Sequence, residues 1–141
     1  MRDIANNVNI KPAFYPVAAV VDNTVQTSTI LDTYGYGAAM LGLVTGTLAD
    51  ADATFTVALN ESNDAAMAGA NAVAAVDLTG TTALASFDFA ADQVCRKIGY
   101  IGNKRFLQAT ITPANNTGNL FVAGMWILGK PARVPTSNPP N

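Results

Sequence analysis

The chain has 141 residues, half of them apolar, with a net charge of −2, 13% charged residues, one cysteine and no histidine. That length suits one domain with its own core, the apolar content excludes a disordered chain, and the charge predicts no general attraction to nucleic acid or an anionic membrane. No apolar run is long enough to span a bilayer, residues 1–7 lack the apolar stretch of a signal peptide, and a lone Cys95 fits folding in a reducing cytoplasm.

Residues 1–16 read as an extended N-terminal arm, because Pro12, Pro16 and two Asn-rich steps interrupt regular structure. Residues 17–21 predict a first short strand closed by Asp22-Asn23, and the β-branched run 24–33 a second. The cluster Thr33-Tyr34-Gly35-Tyr36-Gly37 comes next. In the strand that follows, over 38–48, Gly42 and Gly46 predict bulges, bends or close backbone approach. Phe55, Val57 and Leu59 alternate with Thr54, Thr56 and Asn60, the period of a half-buried antiparallel strand.

Residues 61–75 are alanine-rich and interrupted by Gly69 and Asn71, which predicts a long surface loop with at most one helical turn, capped by Asp64. A short strand over 72–78 ends in Thr79-Gly80-Thr81. Further strands are predicted over 84–89, over 96–102 (broken by Gly99) and over 106–112, where Leu107, Ala109 and Ile111 share a face. The turn signal over 113–119 leads to residues 120–128, apolar on both faces and so expected to be covered on both, by sheet, loop or a neighbouring subunit. The tail, 131–141, carries four prolines and is expected to be extended, ordered where it lies along something. Eight or nine short strands predict an all-β fold: a single antiparallel β-sandwich, jelly-roll-like, over 17–130, with extended N- and C-terminal arms. A closed barrel is the alternative.

Catalytic vocabulary is nearly absent. Without histidine, a Ser or Cys nucleophile has no usual base. Cys95 lies beside Arg96 and Lys97, which would lower a thiol pKa, but reads as an incidental thiol. Asp50 with Asp52, and Glu61 with Asp64, read as solvated turn acids rather than a glycosidase pair. No metal-ligand spacing, cofactor motif or phosphate loop is present, so neither metal nor cofactor is expected and the chain reads as no enzyme.

What remains points to binding. Charged residues are about half of the usual share of roughly 25%, so the surface relies on Thr and Asn and is poorly protected against association. Arg96, Lys97, Lys104 and Arg105 hold half of the eight positive charges within ten residues. They read as solvated or salt-bridged, as a dock for an acidic protein surface or, with Tyr100 and Phe106 between them, as a nucleic-acid stack. The acidic remainder disfavours the last. Tyr34, Tyr36 and Tyr100 sit beside glycines, either covering bare backbone at a sheet bend or lying at a subunit interface.

The order of several pieces resembles the capsid decoration, or cement, proteins of tailed bacteriophages. They are Asp32-Thr33-Tyr34-Gly35-Tyr36, the stretches 59–64 and 75–80, Ile98-Gly99-Tyr100-Ile101-Gly102-Asn103-Lys104-Arg105-Phe106, and Leu128-Gly129-Lys130-Pro131. The likeness covers about residues 30–135 and departs over 65–75. It implies a β-sandwich on the outer surface of the virion capsid, made in the host cytoplasm. It implies as partners the major capsid protein and further copies of the chain, often as a homotrimer, and no catalytic residues. The extended apolar and Pro-rich termini make Ile4, Ile10, Phe14, Tyr15 and the tail candidate contacts, with Tyr34, Tyr36, Tyr100, Lys104 and Arg105. Removing residues 1–12 is expected to weaken capsid binding. Two other readings stay open. One is a virion receptor-binding module for carbohydrate, using Tyr34, Tyr36, Asn63 and Asp64. The other is a head–tail or tail subunit.

Overall fold

The computed structural model describes residues 3–137 and 139; Met1, Arg2, Asn138, Pro140 and Asn141 of the expected arms lie outside them. Its strands are β1 (Val8–Phe14), β2 (Gln26–Thr27), β3 (Leu31–Asp32), β4 (Tyr36–Leu48), β5 (Thr54–Ser62), β6 (Asn71–Ala72), β7 (Leu78–Thr79), β8 (Phe87–Asp88), β9 (Cys95–Tyr100), β10 (Phe106–Ala114) and β11 (Leu120–Pro131), with one short helix, α1 (Thr82–Ala85), before β8. Two antiparallel sheets stack into a jelly-roll-like sandwich. Sheet A runs β1-β11-β4-β9-β7. Sheet B runs β2-β10-β5-β6, with β3 also on β10 and β8 on β5.

Period-2 patterning builds the layers. Phe55, Val57 and Leu59 of β5 and Leu107, Ala109 and Ile111 of β10 all point into the core, as their alternation predicts. Leu41 and Leu43 of β4 and Trp126 and Leu128 of β11 meet them from sheet A. The indole N–H of Trp126 donates to the Thr29 carbonyl at 3.2 Å, so the largest core side chain leaves no polar atom stranded. The β4 ladder slips at Gly46: Leu120 faces Leu48 while Val122 faces Thr45, the bulge expected there.

Several segments differ from expectation. Residues 8–14 are no free arm. They pair with β11 from Val8↔Gly129 to Phe14↔Gly124. Pro12 is tolerated because β1 is the outer strand of sheet A, where a missing N–H costs no ladder bond. With β1 on that edge, residues 17–21 keep only a bridge, Val20↔Leu120, instead of a strand.

The strand expected over 72–78 splits into β6 on sheet B and β7 on sheet A, joined by a 3-10 turn at Ala75–Asp77. The first half of 84–89 is α1, because the Thr81 hydroxyl accepts the Leu84 N–H and caps it. Gly99 does not break β9. A Cβ there would lie 3.2 Å from the Thr79 side chain, so the glycine lets β7 come close. The tail does lie along something: Thr136 donates its N–H to the Asn6 carbonyl and its hydroxyl to that of Val8.

Candidate functional site

Two crossings between the sheets run side by side at one end of the sandwich. One leaves β3 of sheet B, turns at residues 33–35 and enters β4 of sheet A. The other leaves β9 of sheet A through residues 101–105 and enters β10 of sheet B. Register puts them together: Asp32 pairs with Phe106 and Ala39 with Tyr100. The two Gly-Tyr clusters of the sequence therefore line one cleft of about 440 Å³, from Thr33 to Ala39 and from Tyr100 to Arg105.

The first crossing is a tight turn closed by the Tyr36 N–H on the Thr33 carbonyl at 3.0 Å. Gly35 has φ +84°, the left-handed conformation that the third position of such a turn requires. The Asp32 carboxylate accepts the Tyr34 N–H at 2.9 Å, leaving the Tyr34 side chain projecting, 76% exposed. The turn is stitched to its neighbour by the Thr33 N–H and hydroxyl, both donating to the Arg105 carbonyl at 2.9 Å.

Arg105 is the centre of the rim. Its Nε and Nη2 donate to Asp32 Oδ1 and Oδ2 at 2.8 and 2.7 Å, a two-pronged pairing. Its guanidinium carbon also lies 4.9 Å from the Tyr34 ring centre and 5.0 Å from that of Phe106. The pairing holds the Asp32 carboxyl below its ordinary value, chiefly through the hydrogen bonds from Arg105, and raises Arg105 in turn. A long side chain is thereby fixed at the surface before anything binds.

The second crossing rests on Tyr100. Its hydroxyl donates to Glu61 Oε2 at 2.6 Å and accepts the Lys104 N–H at 2.8 Å. Burial first, then the Glu61 contact, pushes its pKa well above the ordinary tyrosine value. Gly102 arches over the ring: a Cβ there would fall 2.5 Å from the Tyr100 hydroxyl oxygen.

The predicted contact residues thus separate. Tyr34, Lys104 and Arg105 line this cleft, with Ile101, 66% exposed; Ile4, also exposed, caps the 3-10 turn that leads into β1. Tyr100 and Phe14 are buried in the chain itself: Tyr100 at the wall of the cleft, Phe14 against Gly124 in the core. Tyr36 is half-buried, its hydroxyl accepting the Asn9 amide at 2.7 Å. Tyr15 lies at the opposite end of β1, and Ile10 on the outer face of sheet A. Sequence reasoning missed the structural parts of Asp32 and Glu61; the only signal was their place inside the matched stretches, Asp32 at the head of one and Glu61 within 59–64. Asp64 accepts the Ala66 N–H at 2.8 Å and shapes its own loop, while Asn63 meets the rim through a long 3.4 Å contact with the Arg105 N–H.

Among the described residues no three His, Cys, Asp or Glu side chains cluster as metal ligands, and no helix is long and apolar enough to cross a membrane. A second cleft of about 710 Å³ flanks Tyr34 on the side of Pro131, Ala132 and Arg133. A hollow of about 660 Å³ at the other end, between residues 13–22 and 26–29, brings no cluster of charged groups together.

No protein-family model matches this sequence, and no curated protein resembles it closely. Solved structures do share its fold. The PBSX exported protein XepA superposes with a TM-score of 0.53 at 11% identity over 92% of this chain; the chain spans 39% of that protein. Weaker likenesses include murine APRIL (TM-score 0.44, 10% identity, 86% of this chain and 98% of that one). Another is the CBM22-1 xylan-binding domain of Paenibacillus barcinonensis Xyn10C (TM-score 0.42, 11% identity, 91% and 83%). At such identities the likeness defines a β-sandwich class and nothing finer.

Proposed function

We propose that this chain is a structural virion protein that binds the outer surface of a phage capsid through the Tyr34–Arg105 rim and stabilises the shell by bridging major capsid subunits. The carrying observation is convergence. Both Gly-Tyr clusters, the start of β1 and the Pro-rich tail lie at one end of the sandwich, fixed by Val8↔Gly129 and Tyr36↔Pro131. Exposed Tyr and Arg, held in place beforehand, are the side chains that dominate protein interfaces. An interface of about 1,200–2,000 Å² is within reach of such an end surface on each capsid contact. The motif resemblance points the same way, and the fold is one shared with a PBSX exported protein. The role is non-enzymatic, and its partners are the major capsid protein and further copies of this chain.

Co-sedimentation with capsids lacking the protein tests the reading. Wild type is expected to saturate at a fixed ratio to the major capsid protein and to raise the particles' resistance to heat. A Tyr34→Ala/Arg105→Ala double variant is expected to bind at least about tenfold more weakly. Equal binding by the variant removes the rim from the interface, and a handful of copies per particle moves the protein to a vertex or tail position.

A second reading has one observation of its own: an exposed Tyr34 between two clefts is a platform on which a sugar ring can stack. Glycan-array binding lost in Tyr34→Ala would favour a receptor-binding role.

A further inference from the structure

The outer face of sheet A stands apart from the rim. Alternation along its strands sends Leu41, Leu43, Trp126 and Leu128 inward and leaves Ile10, Val44, Phe121 and Met125 outward, each between 41% and 48% exposed. Met40 and Ile127, partly covered, sit between them. Register sets these in continuous rows across three strands: Ile10–Ile127–Met40, and Pro12–Met125–Gly42. Glycines on this face make room for neighbouring apolar side chains. Gly42 lies under the tip of Ile127, and Gly46 leaves room for Phe121, whose Cβ a side chain there would meet at 2.9 Å. Among the outward positions of β1, β11, β4 and β9, only Lys97 is charged, at the β9 margin.

We propose that this face is where two copies of the chain pair, sheet against sheet about a twofold axis. Three arguments select a second copy. The face carries one charge, Lys97 at its β9 margin, so two copies can meet on it without burying unpaired charge, in a chain whose low charge protects it poorly against association. A twofold axis sets the same face of both copies against each other, and sheet faces pack on one another at about 10 Å. The area also suffices: strand and residue spacings give a footprint of roughly 500 Å² on each copy. Pairing then removes about 1,000 Å² even before side-chain relief is counted, the lower bound of a specific interface. The pairing leaves the Tyr34–Arg105 rim, at the end of the sandwich, free.

Light scattering behind size exclusion, over a concentration series of the free protein, tests this without any capsid. Wild type is expected at twice the chain mass. Met125→Asp and, on the neighbouring strand, Val44→Glu are each expected to shift the midpoint of association upward by at least tenfold, with unchanged circular dichroism and melting of the monomer. Arg105→Ala, on the rim, is expected to leave the mass unchanged. A wild-type monomer throughout the series overturns the pairing. So does a trimer, the number implied by the motif resemblance, or an oligomer indifferent to both face variants.

Discussion

The hydroxyl of Tyr100, on β9 of sheet A, donates to the carboxylate of Glu61, on β5 of sheet B, at 2.6 Å. The same oxygen accepts the Lys104 N–H, so one atom ties both sheets and the loop between them. Tyr100→Phe keeps the ring and its packing but strands a carboxylate and a backbone N–H. The expected loss is about 1–3 kcal/mol, the cost of unsatisfied partners rather than of one bond. Urea denaturation checks it. A loss near zero would mean that water serves both groups and that the tie is incidental.

Gly35 and Gly102 lie in the two crossings for different reasons, and alanine separates them. At Gly35 nothing crowds a Cβ, but φ is +84°, so Gly35→Ala costs backbone strain alone, roughly 1 kcal/mol. At Gly102 the obstacle is the Tyr100 ring and hydroxyl, within 2.6 Å of the added carbon. Gly102→Ala must displace Tyr100 or the loop and is expected to cost about 1–3 kcal/mol. The pair is coupled in only one case. In a Tyr100→Phe background the Gly102→Ala loss should shrink, while the Gly35→Ala loss should not. Double-mutant cycles by denaturation read both.

How far the sequence reveals this molecule depends on the range of the interactions involved. The strands β5 and β10 are legible because one face of each is buried, which writes period 2 into Phe55-Val57-Leu59 and Leu107-Ala109-Ile111. The edge strand β1 is not legible. Pro12 reads as a breaker, and only its place at the margin of sheet A makes it acceptable. Residues 17–21 have strand-like composition, but β1 already covers β11 from Gly124 to Gly129 and leaves them only the bridge at Leu120, which is a fact about β1 and β11 rather than about themselves. The site shows the same division. Each Gly-Tyr cluster is visible locally, but the Arg105–Asp32 pairing spans 73 residues and follows from the register of β3 on β10, which no local pattern carries.

The pairing of β1 with β11 changes what an N-terminal truncation measures. Removing residues 1–12 deletes most of a strand, from Val8↔Gly129 to Pro12↔Met125, and exposes the edge of β11. The expected result is a large drop in melting temperature and aggregation through the bared edge, whatever the N-terminus does on a capsid. Removing residues 1–7 spares every β1 ladder pair; among the described residues it takes away the 3-10 turn Ala5–Asn7, its Asp3 hydrogen bonds and the contacts of the Ala5 and Asn6 carbonyls with Thr136. That shorter truncation should melt within a few degrees of wild type. Equal melting of the two truncations would show that β1 contributes little to the sandwich.

Asp50 sits in the turn between β4 and β5 and reaches the turn between β10 and β11. Its Oδ2 accepts the N–H groups of Thr117 at 2.6 Å and Gly118 at 3.0 Å, and its Oδ1 accepts the Ala51 N–H at 2.7 Å. The Thr117 N–H first, then those of Ala51 and Asp52, hold its carboxyl well below the ordinary value of 3.8. Asp32, on its Arg105 pairing, is shifted the same way. A depressed pKa in the folded chain means that folding favours the ionised form. The stabilisation is complete above the unfolded value and is lost as pH falls through the folded one. Wild type should therefore lose melting temperature between about pH 5 and pH 2. Asp50→Asn, which cannot ionise, should melt lower at neutral pH, and the gap to wild type should narrow steadily over that acid range. Parallel curves would show that the carboxylate's charge is not what joins the two turns.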